Sequence, residues 1–225
     1  MTLFYPDCSN NNWSSTQDLI DFLSQLQPEG FSGMCHKVSQ GNYFQDAYWP
    51  PCQQWCQQNN LPCIGYHYVT TDDPGAQAQN WLATGGGTNA MFDWESGGGD
   101  LDNFWNVVNA FNAVNVNVQI GYCPNWYLNG AGGGGDLSSF AANGILLVSS
   151  AYPDGTGYAS TIYNAGGGNS GEGWNSYNGG TPSAWQFTDK ANIAGQGDVD
   201  CNAYRGTDIT VLFGTTPPPA APKAP

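Results

Sequence analysis

The feature that most restricts the possible folds is an alternation of short apolar runs with amphipathic helical segments along the first two thirds of the chain. Residues 3–5 suit a short strand. Residues 16–26 then place Leu19, Ile20, Phe22, Leu23 and Leu26 on roughly one helical face, with Ser14, Ser15 or Thr16 available as an N-cap. Strand-patterned residues 31–38 precede a helix over 47–59, whose first turn tolerates Pro50 and Pro51. The same order recurs as strand 63–69 with helix 75–83, and as strand 90–95 with the amphipathic helix 101–114, which carries Phe104, Trp105, Val108 and Phe111. Residues 118–122, 144–149 and 183–188 supply the remaining strands. Repeated strand-then-helix units imply a parallel sheet, open or closed. Helices become hard to find beyond Gly155. The pattern therefore predicts an α/β fold, a modified (β/α) barrel of parallel strands with incomplete helices in the C-terminal third.

A chain of 225 residues can bury a substantial core in one domain, expected over 1–213. Residues 214–225 read Gly-Thr-Thr-Pro-Pro-Pro-Ala-Ala-Pro-Lys-Ala-Pro, an extended linker to a further domain. Eighteen acidic residues against four basic ones give a formal charge of −14 and leave no basic patch, which excludes nucleic-acid binding. Such a field repels polyanions and favours a neutral or polar substrate. No run approaches the ~20 apolar residues of a membrane span, and no basic segment followed by an apolar core marks the N-terminus as an export signal. The seven cysteines are too irregularly spaced for a disulfide scaffold and read as buried thiols with room for one bridge. Cys52 and Cys56 have no second pair and no nearby histidine, so zinc is not expected.

The chemistry concentrates in Asn-Ala-Met-Phe-Asp-Trp-Glu-Ser at 89–96, which runs into three glycines. Residues two apart on a strand share a face, about 6.5–7 Å from each other, so Asp93 and Glu95 project together from its C-terminal end. Barrel active sites form at that end. Two carboxyls in one mouth do not both ionise easily, so one becomes an acid near neutral pH, as glycoside cleavage requires. Taken alone, the pair could equally decorate a loop or hold a structural ion, although the helix-loop-helix calcium spacing fails at Gly97 and Phe104. Asp7 closes the first strand, and Asp200 follows the last predicted one; closure of a barrel brings the two together. Either could instead cap a turn or helix. Tyr66, His67, Tyr68, Tyr122, Trp126, Tyr127, Tyr152 and Trp185 fall at predicted strand ends, where rings stack on sugar faces. Core packing is the alternative for each, and His67 by itself reads more readily as a core histidine than as a catalyst.

In collinear order these segments resemble glycoside hydrolase family 25, the Chalaropsis-type lysozymes, from Leu3 to Phe213. Asp7 and Ser9 look like its opening Asp-x-Ser, and Lys37 to Gly41 with Tyr43 and Asp46 is similar to its Lys-Ala-Thr-Glu-Gly segment. Ile64-Gly65-Tyr66-His67-Tyr68 resembles Gly-x-Tyr-His-Phe, and Asp93-Trp94-Glu95 resembles Asp-x-Glu. Gly121-Tyr122, Trp185-Gln186-Phe187-Thr188 and Val199-Asp200-Cys201-Asn202 match its later motifs. Gln40 stands where the family often has Glu, and the glycine-rich stretch 150–180 is unusual for it. The Asp-x-x-Asp-x-Asp-x-Glu run of family 18 chitinases is absent.

The resemblance implies cleavage of the β-1,4 bond from N-acetylmuramic acid to N-acetylglucosamine in bacterial peptidoglycan, without a cofactor or metal. It implies Glu95 as acid and then base, and Asp93 either as the group that orients the 2-acylamino nucleophile or as a direct nucleophile. Asp7 and Asp200 would bind substrate and keep Glu95 protonated, beside Tyr66, His67, Tyr122, Trp126, Tyr152 and Trp185. Together with the linker and the missing export signal it suggests a monomeric bacteriophage endolysin that stays in the host cytoplasm until released to the wall, a secreted enzyme being the alternative. A non-catalytic wall-binding or virion module on the same fold is the competing reading.

Overall fold

Several helix starts in this chain are fixed by local capping chemistry. Ser15, Asp73 and Asp100 each accept a backbone N–H three residues ahead, satisfying donors that a helix N-terminus leaves free. In the computed structural model, which describes residues 2–215, these caps open three helices of a closed barrel. The chain runs through β1 (Leu3–Cys8), α1 (Thr16–Leu26), β2 (Met34–Gln40), the short β3 (Phe44–Gln45), α2 (Trp49–Asn59), β4 (Cys63–Tyr68) and α3 (Pro74–Ala83). β5 (Asn89–Asp93), α4 (Leu101–Ala113) and β6 (Asn117–Tyr122) follow, then the short α5 (Asn125–Leu128) and α6 (Ser138–Ala142). β7 (Leu146–Ser150), β8 (Gly157–Tyr158), α7 (Ala159–Ala165), β9 (Ala184–Ile193), β10 (Gln196–Tyr204) and α8 (Ile209–Phe213) complete it.

β1, β2, β4, β5, β6, β7 and β9 lie side by side in parallel, and β10 closes the ring between β9 and β1. The expectation of uniformly parallel strands is corrected at β10, which runs antiparallel to both neighbours. Its cause is a hairpin turn of only two residues, Ala194 and Gly195, both at positive φ (52° and 80°). That loop is too short for a crossover and fits the tight turns that join antiparallel strands. Asp200 therefore sits within a strand, paired with Asp7, and not after the last one.

The barrel interior holds Tyr5, Cys35, Ile64, Met91, Ile120 and Val148, and α8 closes its N-terminal end with Ile209, Leu212 and Phe213. Phe213 meets Tyr5 edge-on at 5.2 Å between centroids. A second apolar layer lies between the sheet and the outer helices, where Phe92, Phe104 and Phe111 pack with Trp81 and Trp94. Between β7 and β9 the α-helical content is the seven-residue α7, supplemented by single 3-10 turns, as the glycine content of that stretch predicts. All seven cysteines are free thiols, six of them buried. Among the described residues no helix is long and apolar enough to cross a membrane. The predicted linker lies, from residue 216 onward, outside the described residues.

Candidate active site

Side-chain parity along each strand decides what reaches the barrel mouth. On β4, Tyr66 and Tyr68 face a cavity of about 290 Å³ at the C-terminal ends of the strands. Asp7 from β1, Lys37 from β2 and Asp93 from β5 also face it, with Glu95 just beyond. Tyr122, Tyr152, Gln186 and Asp200 complete the wall. The structure thus brings all four expected acids together with three of the six expected binding residues, Tyr66, Tyr122 and Tyr152.

The other three go elsewhere, and two of them are corrections that follow from parity. Adjacent strand residues point to opposite faces, so His67 and Tyr66 cannot share one mouth. His67 is fully buried on the outer face against Phe111, Phe92 and Trp81. Gln77 directs its amide N–H groups to the carbonyls of Thr70 and Asp72, so its oxygen faces the ring and accepts from His67 Nε2 at 3.0 Å. Ser39 Oγ lies 2.9 Å from Nδ1, which is left as acceptor. Burial pushes the His67 pKa down to about 4, and the ring is neutral. Trp185 is likewise fully buried, donating to the Ala151 carbonyl at 2.7 Å and packing on Tyr163 and Trp174. Its neighbour Gln186 takes the inward position. Trp126, on α5, is 59% exposed and lines a separate depression with Ser150, Glu172 and Asn175.

Parity also names residues that aromatic content had hidden. Lys37 is the cation facing the acids. Its Nζ donates to Gln40 Oε1 at 2.7 Å and sits 5.1 Å from the Tyr68 ring centroid. Alternation from Cys35 places Lys37 inward on β2, just before a register shift that turns Ser39 to the outer face, and alternation from Ala184 places Gln186 inward on β9.

β5 ends at Asp93, but the ladder runs one step further, because Trp94 N–H donates to the Tyr122 carbonyl and Val69 N–H to that of Asp93. A turn closed by Gly98 N–H on the Glu95 carbonyl then holds the glutamate at the rim. Gly98 is needed there because a Cβ would lie 2.5 Å from the Trp94 ring. Burial, with the charges of Glu95 and Asp7, holds the Asp93 carboxyl well above the usual range, and Lys37 partly offsets this. Its Oδ1 is buried without a partner. Burial and Asp7 raise the Glu95 carboxyl, while Tyr68 and Lys37 lower it. Burial and Asp7 push Asp200 up to about 8. Asp7 is also raised by burial, but two amide donors oppose the rise. Chemically, this is a mouth in which carboxylic acids retain protons near neutrality beside an ionisable partner, the requirement for general-acid cleavage of an acetal. Among the described residues no group of three or more His, Cys, Asp or Glu is arranged to hold a metal ion.

No protein-family model and no curated protein matches the chain in sequence. Solved structures do match. A bacterial lysozyme from Streptomyces coelicolor superposes with a TM-score of 0.69 at 15% identity, covering 95% of this chain and 98% of its own. A family GH25 lysozyme from Aspergillus fumigatus gives 0.67 at 18% identity, covering 96% and 100%. The catalytic domain of an endolysin from a bacteriophage of Listeria monocytogenes gives 0.65 at 15% identity, covering 96% and 98%. Over nearly its whole length, the chain has the modified barrel fold of these lysozymes.

Proposed function

We propose that the protein is a peptidoglycan hydrolase, an N-acetylmuramidase that cleaves the β-1,4 bond from N-acetylmuramic acid to N-acetylglucosamine. The observation that carries this reading is the convergence of Asp7, Asp93, Glu95 and Asp200 on one tyrosine-walled cavity at the C-terminal end of the barrel. The fold shared with lysozymes and muramidases supports it. In this reading Glu95, held protonated, gives its proton to the leaving glycosidic oxygen as the C1–O bond breaks. It then takes a proton from the water that completes hydrolysis. Asp93 Oδ1, lacking a protein donor, is free to accept the N–H of the 2-acetamido group and steer that group's oxygen onto the anomeric carbon. Tyr66, Tyr122 and Tyr152 offer ring faces and hydroxyls to the sugars.

We further read the protein as a phage lysis enzyme acting as a monomer, joined by residues 214–225 to a second wall-directed domain. The likeness to phage endolysins supports that setting. The test is digestion of purified peptidoglycan by the protein and by Glu95→Gln, with mass spectrometry of the released fragments. Reducing ends of muramic acid, with at least ~10³-fold slower release by the variant, are expected for a general acid. Release of nothing by the unaltered protein would leave the wall-binding module as the reading.

A further inference from the structure

Asp7 is the hub of the cavity. Its Oδ2 accepts from Gln186 Nε2 at 2.9 Å and from Asn202 Nδ2 at 2.6 Å. The opposite end of the Gln186 amide, Oε1, accepts the hydroxyl proton of Tyr152. Gln186 is buried, so a chain of hydrogen bonds runs from the cavity rim at Tyr152 through one amide to a buried carboxylate. Among the described residues neither Asp93, Glu95 nor Asp200 accepts a side-chain amide N–H. The amide's polarity matters, because its donor end favours the ionised form of the acid it touches.

We propose that Gln186 is a positioning residue that, together with the Asn202 amide, makes Asp7 the first of the four carboxyls to ionise, and so helps set the pH at which the other three release their protons. Asp7 lies among charged or titratable groups on every side. β10 contributes Asp200 and Cys201, and β5 and its extension contribute Asp93 and Glu95. From β2 come Cys35 and Lys37, the latter within reach of the charges of Asp93, Asp46 and Glu95. Tyr66 on β4, Tyr152 beyond β7, and Tyr5 and Cys8 on its own strand stay neutral, their ionisation opposed by burial and by the Asp7 charge. Lys37 is the one cation in this set, and it bears on the β5 acids. Only the two amides favour charge on Asp7 itself. Once ionised, Asp7 raises Glu95 and Asp200 through space, which is the second-largest influence on both after burial. Tyr152 holds the amide in the orientation that does this.

The consequence for catalysis rests on the muramidase reading, whereas the order of ionisation does not. The experiment therefore reads both. The carboxyl ¹³C resonance of Asp7 is titrated in the unaltered protein, in Gln186→Met and in Tyr152→Phe, and kcat/KM on peptidoglycan is measured across the same pH range. Loss of the amide donor in Gln186→Met is expected to raise the Asp7 midpoint by about one pH unit and to carry the acidic limb of kcat/KM with it. Tyr152→Phe, which keeps the donor, is expected to move the midpoint by less than half as much. The isosteric Gln186→Glu replaces the donor by a second carboxyl and gives a larger upward move, which serves if the methionine variant folds poorly. An unchanged Asp7 midpoint in the folded variants overturns the proposal, as does a loss of activity that is even across pH. If the unaltered protein cuts no peptidoglycan, the muramidase reading fails while the titration still decides the role of Gln186.

Discussion

Asp200 shows what a crowded acidic mouth costs the residue that lives in it. Its carboxyl ionises near 8 in the folded chain, against an ordinary 3.8, because burial and the Asp7 charge disfavour the anion. The folded state thus binds this proton more tightly than the unfolded state does. Below the unfolded value both states are protonated and there is no cost. As pH climbs from about 4 towards 8 the unfolded chain gains the ionisation that the fold resists, and stability drains away at up to ~1.4 kcal/mol per pH unit. Asp200→Asn removes the titration. It is expected to stabilise the protein at pH 8 by more than 1 kcal/mol, or roughly the cost of one unit, with no such gain at pH 4. Urea unfolding at the two pH values measures this, and an equal gain at both would show that packing rather than ionisation is responsible. The same substitution is expected to reduce peptidoglycan hydrolysis, the usual consequence of relieving strain at a working site.

At the scale of elements, the sequence pattern located most helices and strands, because a helix needs a 3.6-residue apolar stripe and the Ser and Asp caps mark where it begins. It missed β10. There Val199, Cys201 and Ala203 do alternate and are buried on one face, but Asp198, Asp200 and Asn202 are interleaved with them, the strand opens in Gln196 and Gly197, and bulges break its register with β9, so the alternation is short and its apolar members are small. Asp93 and Glu95 were legible because carboxyls two residues apart share one strand face, and the glycines behind them mark where the strand ends. Aromatic type alone could not separate Tyr66 from His67 or Gln186 from Trp185, since only the face of the strand distinguishes them. Gly65 illustrates how strict that outer face is. A Cβ there would lie 2.3 Å from Val38 Cγ2 and 3.1 Å from both Trp49 and Trp81, so β4 lies close against its helices only as glycine. Gly65→Ala is expected to cost about 2–3 kcal/mol through overpacking. Because Tyr66 lies next to it, the cavity should loosen too. A thermal melt lowered by several degrees together with a raised KM would fit, and an unchanged melt would show that the outer layer yields without strain.

At the scale of the whole molecule, the formal charge of −14 governs encounter rather than chemistry. A wall polymer whose peptide stems carry free carboxylates presents charge of the same sign, so the protein and its proposed substrate repel at long range. The Debye length shrinks from about 30 Å at 0.01 M salt to about 8 Å at 0.15 M. Over that interval the field of the exposed acids contracts to little more than a contact distance. The cavity acids, buried and gathered around one small space, are screened far less. Salt should therefore change the capture of substrate without moving the protonation of Glu95. We expect kcat/KM on intact peptidoglycan to rise severalfold between about 0.01 and 0.15 M sodium chloride while kcat stays nearly constant, a rate effect of like-charge repulsion. On a glycan fragment stripped of its peptides, and so of most of its charge, the same change of salt should leave kcat/KM flat. A rise of equal size on both substrates would assign the salt effect to the protein's own fold, and a fall on intact wall would require a local attraction that outweighs the net charge.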